Sequence, residues 1–310
     1  MDQDINYSEP ANVRATVHPD YRRIALQAGL ALSLVGLAVV GVRSRRRRRE
    51  RDQARESLMQ ELEEELQTAH DMQMSLVPTG SPQITGIDVA GQCLPANHVG
   101  GDTFQYFPQD GSLSIAVGDV TGHDMEAAIF VVMFSGVLDK VMEFPMDLPE
   151  RFSSLNRSLC RKRTYVCFSM AEISPEAHTL RLASCGNPYP LHFHAGEVSQ
   201  LKVQGYPLGV RPDTTYNAIE ADLDQGDYLA FVSDGIPEAV NGNEEMLGDE
   251  RIQATIRQGC IEGLSAEALI DRLLAEVGSF CAEVAQEDDM TCVALLCRYD
   301  RRSWDGVTVP

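Results

Sequence analysis

The sequence predicts an α+β domain of mostly antiparallel sheets, preceded by one transmembrane helix and a helical stalk. Three observations predict it. Short β-type runs at 86–94, 112–120, 165–173, 178–185, 215–222, 227–233 and 290–298 come in clusters separated by whole helices, not in strict strand–helix alternation. Apolar residues make up 44% of the 310-residue chain and charged residues 23%, enough to bury a core. Finally, residues 24–42 form a 19-residue run without a charge, close to the ~20 residues a helix needs to cross a bilayer.

Taken in order, residues 1–23 form a short N-terminal segment, too short to fold as an extracytoplasmic sensor. The apolar run 24–42 follows, and then Arg43, Arg45 to Arg49 and Arg51. Arginine on that side places the remainder of the chain in the cytoplasm, as a single-pass protein of the inner (cytoplasmic) membrane. A cleaved signal peptide is the competing reading, but the leading segment is long for one. Residues 50–77 lack Gly and Pro and are rich in Glu, Gln, Arg, Leu and Met, a helical composition. Leu62, Ala69 and Leu76 fall at heptad position a, with Leu58 and Met72 at d, but Glu65 also falls at d. A homodimer through residues 50–77 and a single solvated helix are therefore both open. Pro78 and the Thr79-Gly80-Ser81-Pro82 cluster end the stalk (43–78), and the body runs over 79–300 with a tail at 301–310. Within the body, residues 124–140 are apolar on nearly all sides and read as a helix buried between layers. Residues 265–286 open with the cap residue Ser265 and continue as an amphipathic helix.

Charge excludes one class of partner. The formal net charge is −20, and ten of the arginines lie within residues 1–51, so the rest of the chain carries 16 basic and 41 acidic residues. Such a surface is a poor match for nucleic acid phosphates. The eight cysteines show no zinc-knuckle spacing and read as buried thiols in a reducing compartment.

The chemistry-bearing residues are acids at the ends of apolar strands. Asp119 closes the run Leu113 to Val117, Asp234 closes Tyr228 to Val232, Asp102 follows Gly100-Gly101, and Asp288-Asp289 precede the strand Met290 to Leu296. A carboxylate at the edge of a core is costly unless a cation meets it. Each alone reads as a turn or helix cap. Together they suggest convergence on hard divalent ions bound through oxygen, Mg²⁺ or Mn²⁺. His192 and His194 share one face of a strand, and a solvated pair is the favoured reading over a ligand pair.

In this order and spacing the motifs resemble the PPM-type metal-dependent serine/threonine phosphatases, in the bacterial branch of the stage II sporulation phosphatase and the regulators of the general-stress sigma factor. The segments are Met72-Gln73 with Leu76-Val77-Pro78, Pro95-Ala96 with Val99-Gly100-Gly101-Asp102, Gly118-Asp119-Val120-Thr121-Gly122-His123 with Ala127-Ala128, Pro207-Leu208-Gly209-Val210, Gly226-Asp227, Ser233-Asp234-Gly235-Ile236-Pro237-Glu238-Ala239, and Asp288-Asp289-Met290-Thr291. The resemblance covers about residues 69–299 and implies an α-β-β-α sandwich. It further implies a centre of two ions, Mn²⁺ or Mg²⁺, held by Asp102, Asp119, the Val120 carbonyl, Asp234 and Asp288, with Asp289 beside them and His123 outside direct ligation. The activity implied is hydrolysis of phosphoserine or phosphothreonine on a signalling protein, such as an anti-sigma-factor antagonist, by activated water. Three residues depart from the branch's pattern: Gln105 replaces an acid, Asp124 a glycine and Asn187 a histidine. They motivate a rival, a degenerate domain that binds a phosphoprotein without turning it over. Hydrolysis of a small phosphoester is a third reading.

Overall fold

In a computed structural model the described residues are 21–298, apart from 110, 123–124, 161, 163 and 175–177. The chain divides into two units, Met1–Glu63 and Glu64–Pro310. The helix α1 (Tyr21–Met74) is 54 residues long, so the apolar run and the stalk are one continuous helix. Its first part is long and apolar enough to cross a membrane. It stops at Met74 because Pro78 disfavours helical backbone in the residue before it. Val77 instead turns into the core of the second unit.

The second unit runs β1 (Ile87–Leu94), β2 (Asp102–Gln109), β3 (Ser112–Val120), α2 (Met125–Met142), α3 (Leu148–Leu159), β4 (Val166–Ser174), β5 (Thr179–Cys185), β6 (Leu191–His194), β7 (Glu197–Gln200), β8 (Ile219–Asp222), β9 (Tyr228–Val232), α4 (Asp249–Ile261), α5 (Ala266–Cys281) and β10 (Met290–Cys297). Two five-stranded sheets result, in the orders β1-β10-β9-β6-β7 and β2-β3-β4-β5-β8. Every ladder is antiparallel.

Side-chain alternation builds three apolar layers. Leu113, Ile115 and Val117 of β3 meet Leu229 and Phe231 of β9 and Val293 and Leu295 of β10 between the sheets. The opposite faces of β9 and β10, with Tyr228, Ala230, Cys292 and Ala294, are covered by Ile252 and Ile256 of α4 and Leu269 and Leu273 of α5. On the other sheet, Phe168 and Met170 of β4 pack under Phe134 of α2 and Phe152 of α3. β10 is buried at all eight positions because both its faces are covered, so its sequence shows no alternation.

The expectation that residues 124–140 lie between layers is corrected. α2 covers the outer face of a sheet, leaving Ile129 and Val132 at 62% and 49% exposure. The strand expected at 215–222 is also shorter: only Ile219–Asp222 pairs, while Tyr216 turns into the layer beneath α3.

Asn156 ties the helical layer to the returning loop. Fully buried on α3, it donates to the Arg211 carbonyl (2.7 Å) and accepts from the Gly209 amide (2.8 Å). Asn156→Ala orphans both backbone groups, and a loss of about 3 kcal/mol is expected. The urea midpoint should fall with an unchanged slope.

Candidate metal centre

The carboxylates gather toward one end of the sandwich, where β2 begins and β3 and β9 finish, but among the described residues no three of them bring ligand atoms within 4.8 Å of one another. Asp102 and Asp119 are directly opposed in the β2–β3 ladder. Opposed residues point to one face with Cβ atoms roughly 5 Å apart, and like charges so placed repel. Both lie on the face turned toward the other sheet, in step with Phe104 on β2 and Val117 on β3. Cys167 of β4 continues the row, opposite Asp119. From the other sheet come Asp234, two residues past β9, and Asp288-Asp289, just before β10.

The segments are coupled electrostatically. Burial pushes Asp102 well above the usual carboxylate range, and Asp119 and Asp289 push it further, while the Ser233 and Thr291 hydroxyls favour its charged form. Asp119 is raised to about 7 by burial and by Asp234, Asp288 and Asp289. Asp234 and Asp289 are raised for the same two reasons, burial first and neighbouring carboxylates second. Among the described residues no Lys, Arg or His offsets these four acids. Asp102 is 4% exposed, and its Oδ2 is buried with no hydrogen-bond partner. A buried carboxylate oxygen without a hydrogen-bond donor fits a hard cation.

Asp289 has a second task. Its Oδ1 accepts the Ala96 amide (2.8 Å) and its Oδ2 the Gly101 amide (2.6 Å), fixing the loop that delivers Asp102. Asp288 is exposed, and its Oδ1 accepts the Asp289 amide (2.8 Å). Gln73, buried at the end of α1, holds the same loop from behind, donating to the Gly100 carbonyl (2.5 Å) and accepting from its amide (3.0 Å). The burial of Gln73 in an otherwise polar stalk could not be read from helical composition. Cys167 was likewise missed, since nothing marks a thiol inside a strand as facing acids. Burial and the adjacent aspartates push its pKa up to about 12, which favours the neutral thiol.

Of the departures, Gln105 faces away from the cluster. Gln105 pairs with Ala116, a residue of the layer beneath α2 and α3, and so lies on the opposite face of β2 from Asp102. Asn187 donates to the Val117 carbonyl and the Ser169 hydroxyl, both at 3.2 Å, and bridges β3 and β4. His123 and Asp124 lie outside the described residues. A correction concerns the histidines. His192 is 6% exposed, not solvated, and with His194 it faces Asp227.

Two antiparallel sheets between helical layers, with acids gathered at one end, define a PP2C-type phosphatase fold. The chain belongs to the family of stage II sporulation protein E (SpoIIE), whose family model matches residues 109–298. It is 25% identical over 191 residues to the phosphoserine phosphatase RsbU of Bacillus subtilis (strain 168), covering 60% of this chain and 57% of that relative. The chain thus spans little more than half of RsbU's length. The fold matches the SiaA-PP2C domain of Pseudomonas aeruginosa with a TM-score of 0.70 at 20% identity, covering 79% of this chain and 98% of that domain. It matches the RsbU and RsbW domains of a Mycobacterium tuberculosis protein with a TM-score of 0.62 at 21% identity, covering 72% of this chain and 63% of that one.

Proposed function

We propose that this chain is a membrane-anchored, metal-dependent phosphatase that hydrolyses phosphoserine or phosphothreonine on a signalling protein, with residues 79–300 as the catalytic body. One observation carries the reading. Asp102 and Asp119, directly opposed in the β2–β3 ladder, and Asp234 and Asp289, which follow β9 and precede β10, come from four separate segments to one end of the sandwich. Two Mn²⁺ or Mg²⁺ ions held by Asp102, Asp119, Asp234, Asp288 and the Val120 carbonyl would supply a water acidified for in-line attack and neutralise the phosphoryl oxygens. The chain's own part is to fix those acids in place, and the cations would offset the repulsion that raises their proton affinity. Asp289 pins the Asp102 loop through the Ala96 and Gly101 amides.

A protein substrate is favoured by the surroundings. A cleft of about 710 Å³ is lined by Gly186, Asn187, Tyr189, Tyr206, Val232 and Gln253 among others. It begins two residues before Asp234 along the chain, and Gly186 lies against Cys167, the partner of Asp119. Such a cleft accommodates a chain segment leading to the phosphorylated residue. The resemblance to regulators of the general-stress sigma factor makes a phosphorylated anti-sigma-factor antagonist the substrate to try first. The test is phosphate release by the full chain in detergent with Mn²⁺, offered a phosphoserine protein beside nucleotides and sugar phosphates. Release from the protein alone supports the reading; release from the small esters alone, or none, overturns it.

The charge-free run 24–42 followed by arginines supports a single span with the catalytic body in the cytoplasm, and exposed Leu58 and Leu62 support pairing of two stalks. Signals arriving along α1 would reach the centre through Gln73. Gln73→Ala is expected to lower the turnover rate roughly 10- to 100-fold, the range seen when a ligand's support is removed. The metal concentration giving half-maximal rate should rise with it, and the melting temperature should fall, since the Gly100 amide and carbonyl lose their partner.

A further inference from the structure

The Gly226-Asp227 motif has no part in the chemistry above, and its surroundings give it another. We propose that His192, His194 and Asp227 form a second metal site, for a borderline divalent cation such as Zn²⁺, at the end of the sandwich opposite the carboxylate centre.

The backbone places the three residues together. His192 and His194 lie two apart on β6 and therefore on one face, the face away from Leu191 and Phe193, which pack under the helices. β6 pairs with β9 so that Phe193 stands opposite Tyr228, which carries His194 to the level of Asp227. Asp227 and Asp234 bracket β9, and seven residues at about 3.3 Å each set the two sites roughly 23 Å apart. One ligand atom from each of His192, His194 and Asp227 falls within 4.8 Å of the others, a convergence found in no other group of the described residues.

The separations suit a small ion. His192 Nε2 lies 3.5 Å and His194 Nδ1 2.9 Å from Asp227 Oδ2. Ligand atoms arranged tetrahedrally at ~2.0–2.1 Å stand about 3.3 Å apart. Two imidazoles select zinc-like ions over Mg²⁺. His192 Nε2 is buried and meets Asp227 Oδ2 at 3.5 Å, too long for a good hydrogen bond but a spacing an ion between them would suit. The Asp227 carboxylate is itself oriented by the Asp224 amide (2.8 Å), as metal-binding carboxylates usually are. Asp222 and Asp224 add negative charge beside His194. His194 is half exposed, so an ion can enter and a solvent molecule can complete its shell.

The experiment is a Co²⁺ titration of the full chain in detergent with excess Mg²⁺ present, read by visible absorption. One equivalent giving the intense ligand-field bands of tetrahedral cobalt, displaced by Zn²⁺, is expected. The bands should persist in Asp119→Asn, and affinity should fall at least about 100-fold in His194→Ala, whose half-exposed position tolerates truncation, and in His192→Gln. Absence of the bands overturns the proposal. So does unchanged binding in His194→Ala, or near-ultraviolet thiolate charge transfer, which would assign the metal to cysteine. As a second readout, Zn²⁺ should raise the melting temperature of the parent chain and leave that of His194→Ala unmoved; equal rises in both overturn it.

Discussion

Asp119→Asn is expected to lower Mn²⁺-supported phosphate release at least about 10³-fold and, in the metal-free protein, to raise the melting temperature. The first effect follows from removing a charged ligand where preorganised charge is the main catalytic resource. The second follows from repulsion. Asp119 faces Asp102 across the β2–β3 ladder and feels Asp234, Asp288 and Asp289. An amide of the same shape removes that cost. The same argument fixes a pH dependence. The Asp119 carboxyl is raised from the ordinary carboxylate range to about 7 in the folded, metal-free chain, so between about 4 and 7 the folded state binds more protons than the unfolded one. Stability must then fall as pH rises through that window. Melting curves in chelator from pH 4 to 8 should show a decline for the parent chain, a shallower one for Asp119→Asn, and a flatter profile when Mn²⁺ is added. A variant that retains activity, or melts lower than the parent in chelator, would remove Asp119 from the centre.

The sequence made the inner strands and the acids at their ends legible because both signals are local. The apolar run Tyr228–Val232 and the Gly118-Asp119 stop depend only on neighbours in the chain. β2 was missed because Pro108 argues against a strand; as the edge of its sheet, β2 tolerates a residue that cannot donate to a ladder. α4 was missed because its cap is Gly248 at φ 77° with no side-chain bond, leaving no start signal. α3 did carry one: Asp147 accepts the Glu150 amide (2.9 Å) and Pro149 sits in the first turn. What no local pattern reveals is which of two adjacent acids is buried. Asp288 and Asp289 are indistinguishable in sequence, and only the arrival of the Ala96 and Gly101 amides, almost two hundred residues away, makes Asp289 the inner one. The pairing of His192 with Asp227 is hidden for the same reason, since it depends on the register of β6 against β9.

The loop entering β2 carries the other large expected effect. Gly101→Ala should destabilise the body by about 3 kcal/mol, the upper range for forced overpacking, and reduce phosphate release more than the stability loss explains. The reason is space, not backbone conformation. A Cβ at Gly101 would overlap the carbonyl oxygens of Val120 and Gly122. Neither side can yield cheaply. The Gly101 carbonyl accepts the Val120 amide (2.9 Å) and its own amide donates to Asp289 Oδ2 (2.6 Å), so the residue is held from three directions by β3, by Asp289 and by its place one residue before Asp102. To admit a methyl group, the loop must move away from β3, carrying Asp102 with it and turning the Val120 carbonyl, two of the groups proposed to face the ions. Metal titration by calorimetry should therefore show weakened Mn²⁺ affinity in Gly101→Ala at temperatures where circular dichroism finds it fully folded. Gly80→Ala, in open space on the exposed turn after Pro78, serves as the control and should change neither. If Gly101→Ala binds Mn²⁺ as the parent does while folded, the glycine is there for packing alone and the Asp102 loop is not what sets the geometry of the centre.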